Sequence, residues 1–173
     1  MATPTYEPIA TYTFPSSGDT RTFSSIPSTY TDLEIRIIVR GTSAGSYAKI
    51  RVNGDSGTNY SYQDFYYQNG ASTTGWGSES NKTFAYLNGF GSELNSSNTY
   101  PLSIRVIIPD YSSSSVNPKT IMSRSGLVNY AAQFMVNSWR SASAINSIQV
   151  YTDSPAAFAA GTIITLYGIK AGS

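Results

Sequence analysis

Apolar and polar residues alternate along Leu33-Glu34-Ile35-Arg36-Ile37-Ile38-Val39-Arg40, and nowhere does the chain sustain a long helical period instead. A period of two places Leu33, Ile35, Ile37 and Val39 on one face of an extended strand and Glu34, Arg36 and Arg40 on the other, broken only by Ile38. Tyr47 to Val52 repeats the pattern, with Ala48, Ile50 and Val52 inward and Lys49 and Arg51 outward. Strand-like segments of this kind recur at roughly 8–15-residue spacing, separated by clusters of Gly, Pro, Asn and Ser. Roughly nine or ten short strands in 173 residues predict an all-β fold, a single-domain antiparallel β-sandwich of jelly-roll type. The domain spans 1–173, with a short extended N-terminal segment at about 1–8.

The further strands are expected at Ile9–Phe14, Thr20–Ser24 (a hairpin partner for the first), Thr83–Leu87, Leu102–Ile108, Thr120–Ser123, Ala131–Val136, Ile145–Tyr151 and Thr162–Lys170, and Tyr60, Tyr62, Phe65, Tyr66 and Tyr67 form the most aromatic stretch. Gly70 to Asn81 reads as a loop around Trp76, and Ser112 to Ser115 as a surface loop. Ser154 to Ala160 reads as a loop or a single helical turn. Asn53-Gly54-Asp55-Ser56-Gly57 has the residues of a tight hairpin turn. It lacks the Asp/Asn ladder and distal Glu of a calcium loop. Thr29-Tyr30 before Leu33 to Val39 is echoed by Thr99-Tyr100 before Leu102 to Ile108, either through similar burial or as matching strands of a two-fold repeat.

The chain has no Cys and no His. That excludes disulfides, thiol nucleophiles, Cys/His zinc sites and imidazole acid–base chemistry, and no cofactor or metal is expected. A net charge of +1, with only 12% charged residues, argues against nucleic acid as a partner. The longest aliphatic runs, Ile37-Ile38-Val39 and Val106-Ile107-Ile108, span no membrane, and the first residues lack the pattern of a secretory leader. The three glycosylation sequons are therefore read as chance matches. Ten acids scattered mostly through turns supply no obvious carboxylate pair, so no catalytic residues and no enzyme are expected.

The candidate binding residues are aromatic. Tyr62, Tyr66, Tyr67, Trp76 and Trp139 can fill a core, form a protein interface or stack on sugar rings, with Tyr67 expected in the core. In the closing strand Thr162 to Ile169, apolar residues point to both faces, so something must cover the outer one. Another subunit would use Ile164 and Tyr167 as contacts; the alternative cover is the chain's own segment around Tyr6 to Ile9.

Three motifs in order resemble the small β-rich virion proteins of tailed bacteriophages. They are Phe23-Ser24-Ser25-Ile26-Pro27-Ser28-Thr29-Tyr30-Thr31-Asp32-Leu33, the turn Asn53-Gly54-Asp55-Ser56-Gly57-Thr58-Asn59-Tyr60-Ser61, and the ending Gly161-Thr162-Ile163-Ile164-Thr165-Leu166-Tyr167-Gly168-Ile169-Lys170. The resemblance implies a non-enzymatic structural protein of the virion, assembled in the host cytoplasm. No coiled-coil or collagen-like shaft is present, which favours a capsid decoration or cement protein over a fibre. The alternative is a tail-associated receptor- or glycan-binding module. Its expected partners are other virion proteins (the major capsid protein or tail proteins), copies of itself in a homo-oligomer such as a trimer, and, for the alternative, a host-surface glycan.

Overall fold

The structure is a computed structural model that describes residues 5–42, 47–69, 73–89, 94, 100–116, 118–128, 130–153 and 156–170. Among these residues the regular elements are all strands: β1 (Thr5–Thr13), β2 (Thr20–Phe23), β3 (Asp32–Val39), β4 (Lys49–Val52), β5 (Tyr60–Gln68), β6 (Thr73–Lys82), β7 (Ala85–Tyr86), β8 (Leu102–Ile108), β9 (Lys119–Leu127), β10 (Ala131–Trp139), β11 (Ile148–Tyr151) and β12 (Ile163–Lys170). They form a sandwich of unequal layers. The broad sheet has the order β1-β12-β3-β8-β9-β10-β5-β6 and the narrow one β2-β11-β4-β7, with every pairing antiparallel. No helix of the described residues is long and apolar enough to cross a membrane.

The core lies between the layers. Leu33, Ile35, Ile37 and Val39 of β3, Ile104, Val106 and Ile108 of β8, and Ile164 and Leu166 of β12 come from the broad sheet. Ile50 and Val52 of β4 and Ile148 and Val150 of β11 face them from the narrow one. The period-two alternation is therefore the core face, and Ile38, which broke it, points outward at 46% exposure.

Several expectations are corrected. β2 does not form a hairpin with β1; it pairs with β11 in the other sheet, while β1 pairs with β12. The N-terminal segment is consequently part of the sandwich from Thr5 onward, and residues 1–4 lie outside the described set. Asn53 and Gly54 make a tight turn with φ of 52° and 68°, the left-handed values that such a turn needs. The turn leads from β4 in one sheet to β5 in the other, so it closes no hairpin. The segment 70–81 is not a loop: β6 occupies Thr73–Lys82, and residues 70–72 lie outside the described set. No helical turn forms among the described residues of 154–160, where Phe158 is buried and bridges Gly18 and Gly41; Ser154 and Pro155 lie outside them.

The echoed strands are immediate neighbours. β3 and β8 pair antiparallel with Arg36 opposite Arg105, so the two segments of similar pattern share burial in one sheet.

Candidate functional site

The broad sheet has eight strands and the narrow one four, so the narrow layer cannot cover the whole inner face of the broad one. The outer face carries the first candidate surface. Arg36 (β3), Arg105 (β8), Arg124 (β9), Phe134 (β10), Phe65 (β5) and Trp76 (β6) stand directly opposite one another on six successive strands. At a strand spacing of about 4.8 Å the row is about 24 Å long. Its aromatic half is open to solvent, with Phe134, Phe65 and Trp76 at 42%, 60% and 82% exposure.

Two of the three guanidinium groups are already engaged. Glu34 lies on the same face, yet its side chain has no exposed surface. Its Oε1 accepts from Arg36 Nε at 2.7 Å and from the Tyr6 hydroxyl at 2.9 Å, and its Oε2 accepts from Arg105 Nη2 at 2.5 Å. Burial alone would raise the Glu34 carboxyl, but hydrogen bonds from Arg105, Arg36 and Tyr6 outweigh it and hold the group below the usual Glu value. Burial and the Glu34 carboxylate push the Tyr6 phenol up to about 12. Tyr6 also stacks on Tyr167 at 4.7 Å, with the Arg36 guanidinium 5.3–5.4 Å from both ring centres. Arg124 makes no ion pair among the described residues.

Beside the aromatic half lies an open cleft of about 530 Å³ lined by Ser61, Gln63, Ser78, Ser80, Thr120 and Ser138. A second pocket, of about 340 Å³, includes Tyr47, Tyr62, Asp64, Tyr66, Glu79 and Tyr86 in its lining. β6 explains its form. Gly75 and Gly77 occupy the positions opposite Tyr66 and Asp64, and a Cβ there would come within 2.4 Å of the Tyr66 ring or 2.5 Å of Asp64 Oδ1. The missing side chains let Tyr66 and Asp64 lie down across the strand.

The pocket's polar groups are held from behind. Asp64 Oδ2 accepts from Gln133 Nε2 at 2.8 Å, and Glu79 Oε1 accepts from the Tyr62 hydroxyl at 2.7 Å. Lys82 pairs with Glu79 and, with Tyr62, keeps that carboxyl below its ordinary value, whereas burial and Glu79 raise the Tyr62 phenol. The Tyr86 ring meets Tyr62 and Tyr47 edge-on at 5.2 and 5.6 Å.

The sequence candidates separate into three places. Tyr62 and Tyr66 are half-buried in this pocket, whose lining Trp76 shares although its ring is 82% exposed, while Tyr67 is exposed on the broad sheet. The Tyr67 expectation is corrected: Tyr60 is the core aromatic, and seven residues of strand put Tyr67 on the opposite face, 45% exposed. Trp139 and Ile164 are 3% and 0% exposed, so both are core residues and not surface contacts. The Trp139 indole N–H donates to Asp55 Oδ2 at 2.6 Å, and Asn59 and the Gly57 amide also bond that carboxylate, making Asp55 a loop organiser. β1 pairs along the edge of β12 and Tyr6 stacks on Tyr167, so the chain itself covers part of the outer face of β12, while Ile163 stays 40% exposed there. Lys49, expected outward, is buried beneath Phe84 and Tyr86 and pairs with Asp153.

Phe134, Arg124, Tyr47 and Tyr86 were not singled out as candidates by sequence. Along β10, Ala132, Phe134 and Val136 alternate with Gln133, Met135 and Asn137, and it is the second set that is buried. Asn137 is buried because its amide pairs with both the N–H and the C=O of Tyr86, at 3.0 and 2.9 Å, and so joins β10 to β7 as a backbone partner would. Among the described residues no three Asp or Glu gather as a metal would require.

No family model matches the chain, and no curated protein matches it. Among solved structures, galectin LEC-6 of Caenorhabditis elegans aligns over 93% of this chain and 96% of its own at 10% identity, with a TM-score of 0.37. An aerolysin-like protein of Bombina maxima aligns over 88% and 90% at 10% identity, with a TM-score of 0.10. Likenesses this weak carry no argument about function.

Proposed function

We propose that the protein is a non-enzymatic structural protein of a tailed-bacteriophage particle, a capsid decoration protein that seats on a neighbouring virion protein through the aromatic half of its outer sheet face. One observation carries the docking role: Phe134, Phe65 and Trp76 form a continuous exposed row on three adjacent strands. Aromatics presented together on a firm sheet are typical anchors of protein interfaces, because they bury large areas while losing few rotamers. The near-neutral charge suits a contact held by packing and hydrogen bonds, not by electrostatic steering. The assignment to a phage particle rests on the three sequence motifs alone.

The test is incorporation into particles. Phe65→Ser combined with Trp76→Ser should leave the fold intact, since both side chains already face solvent, and should remove the protein from purified virions. A folded double variant present at the normal copy number would overturn the assignment of this face.

A further inference from the structure

We infer that the tyrosine-lined pocket beside β6 is a carbohydrate site that takes one or two uncharged pyranose units. This inference does not depend on the docking role of the outer face.

The lining matches sugar chemistry in three respects. Tyr47, Tyr62, Tyr66 and Tyr86 supply aromatic surface, which the C–H face of a pyranose covers well. The Tyr62 hydroxyl, whose proton goes to Glu79, still offers a lone pair to a sugar hydroxyl, and the Asp64 and Glu79 carboxylates accept only. A volume of about 340 Å³ lies at the small end of the range for ligand sites.

The groups are also fixed before any ligand arrives. Gln133 holds Asp64, Tyr62 holds Glu79, and Gly75 and Gly77 allow the Tyr66 ring and the Asp64 carboxylate to lie flat against the strand. Preset groups of this kind reduce the ordering cost of binding.

A tyrosine cage with carboxylates also suits an organic cation. Lys82 decides between the two. It neutralises Glu79, so a cation would meet only the Asp64 charge, while the hydroxyl and carboxylate acceptors that sugar hydroxyls require remain in place.

The experiment uses the full chain and the methyl glycosides of glucose, galactose, mannose, rhamnose and N-acetylglucosamine, screened by saturation-transfer NMR and then titrated. At least one glycoside should receive saturation. Asp64→Asn, which keeps the shape, and Tyr62→Phe, which keeps the ring, should each weaken it by about tenfold or more. Arg124→Ala, on the outer face, should leave it unchanged. Thermal melting of each variant checks that it is folded. The proposal is overturned if no glycoside receives saturation, if binding survives both pocket variants at full strength, or if tetramethylammonium binds in place of every glycoside.

Discussion

Glu34 is an ionised group without exposed surface on a face that otherwise meets water. It is stable there because Arg36, Arg105 and Tyr6 fill its lone pairs, and those donors reach it from β3 itself, the adjacent β8 and the edge strand β1. The carboxyl is held below its ordinary value, so its value in the folded protein lies below that in the unfolded chain. It therefore adds stability at pH above the unfolded value, and that contribution is lost as pH falls through the folded value. Glu34→Gln should cost about 1–3 kcal/mol at neutral pH, less than a fully buried pair because both arginines retain water. The gap between variant and parent should close in strong acid. Urea denaturation across a pH series measures both effects, and a gap that stays constant with pH would show that the carboxylate is not the source.

At the scale of the element, β6 illustrates what the sequence conceals. A strand is recognised by its own alternation of apolar and polar residues, yet inward positions of β6 hold Gly75 and Gly77, and the side chains over them belong to β5. The signal is distributed between two strands, so Thr74-Gly75-Trp76-Gly77-Ser78 reads as a loop. β3, β4, β8 and β12 carry their own pattern and were legible to within a residue or two at most of their ends. β10 was legible as a strand but not as to face, since the pairing of Asn137 with Tyr86 depends on a partner 51 residues away. The pocket residues could not be grouped for the same reason: strand register, absent from the sequence pattern, sets which tyrosines meet. A coupling experiment tests the account of β6. Gly75→Ala should destabilise by about 1–3 kcal/mol because its Cβ strikes the Tyr66 ring. Adding Tyr66→Ser should recover about 1 kcal/mol or more of that loss in a double-mutant cycle. Strict additivity would show that the ring does not need the glycine.

For the whole molecule, charge and surface chemistry are divided along one axis. The β1–β12–β3–β8 side holds the engaged arginines and Glu34, and the β10–β5–β6 side holds the exposed row Phe134, Phe65 and Trp76 and the two cavities described above. β12 has both edges paired, by β1 and β3, and the most exposed aromatic row is Phe134, Phe65 and Trp76, so association with another protein should use the aromatic side. A contact built from Phe65, Trp76 and Phe134 is not screened by ions. Retention on particles should therefore change little when salt is raised several-fold. A steep loss would assign the contact to Arg124 and its neighbours instead.

The place of β12 has a consequence for the order in which the chain can fold. Among the described strands β1 precedes all the others in the chain, yet its partner in the sheet, β12, follows all of them, with Thr11 opposite Thr165 across 154 residues. β3 likewise lacks one of its two neighbours until Ile163 to Lys170 have left the ribosome. Two early strands thus wait with unpaired edges until β12 has been made, and contacts so distant in sequence also make for slow refolding. Nascent chains arrested after Tyr151 should be cut readily by protease within β1 and β3, while release of the full chain should protect both together. Protection of β1 before β12 emerges would mean that another strand holds it first.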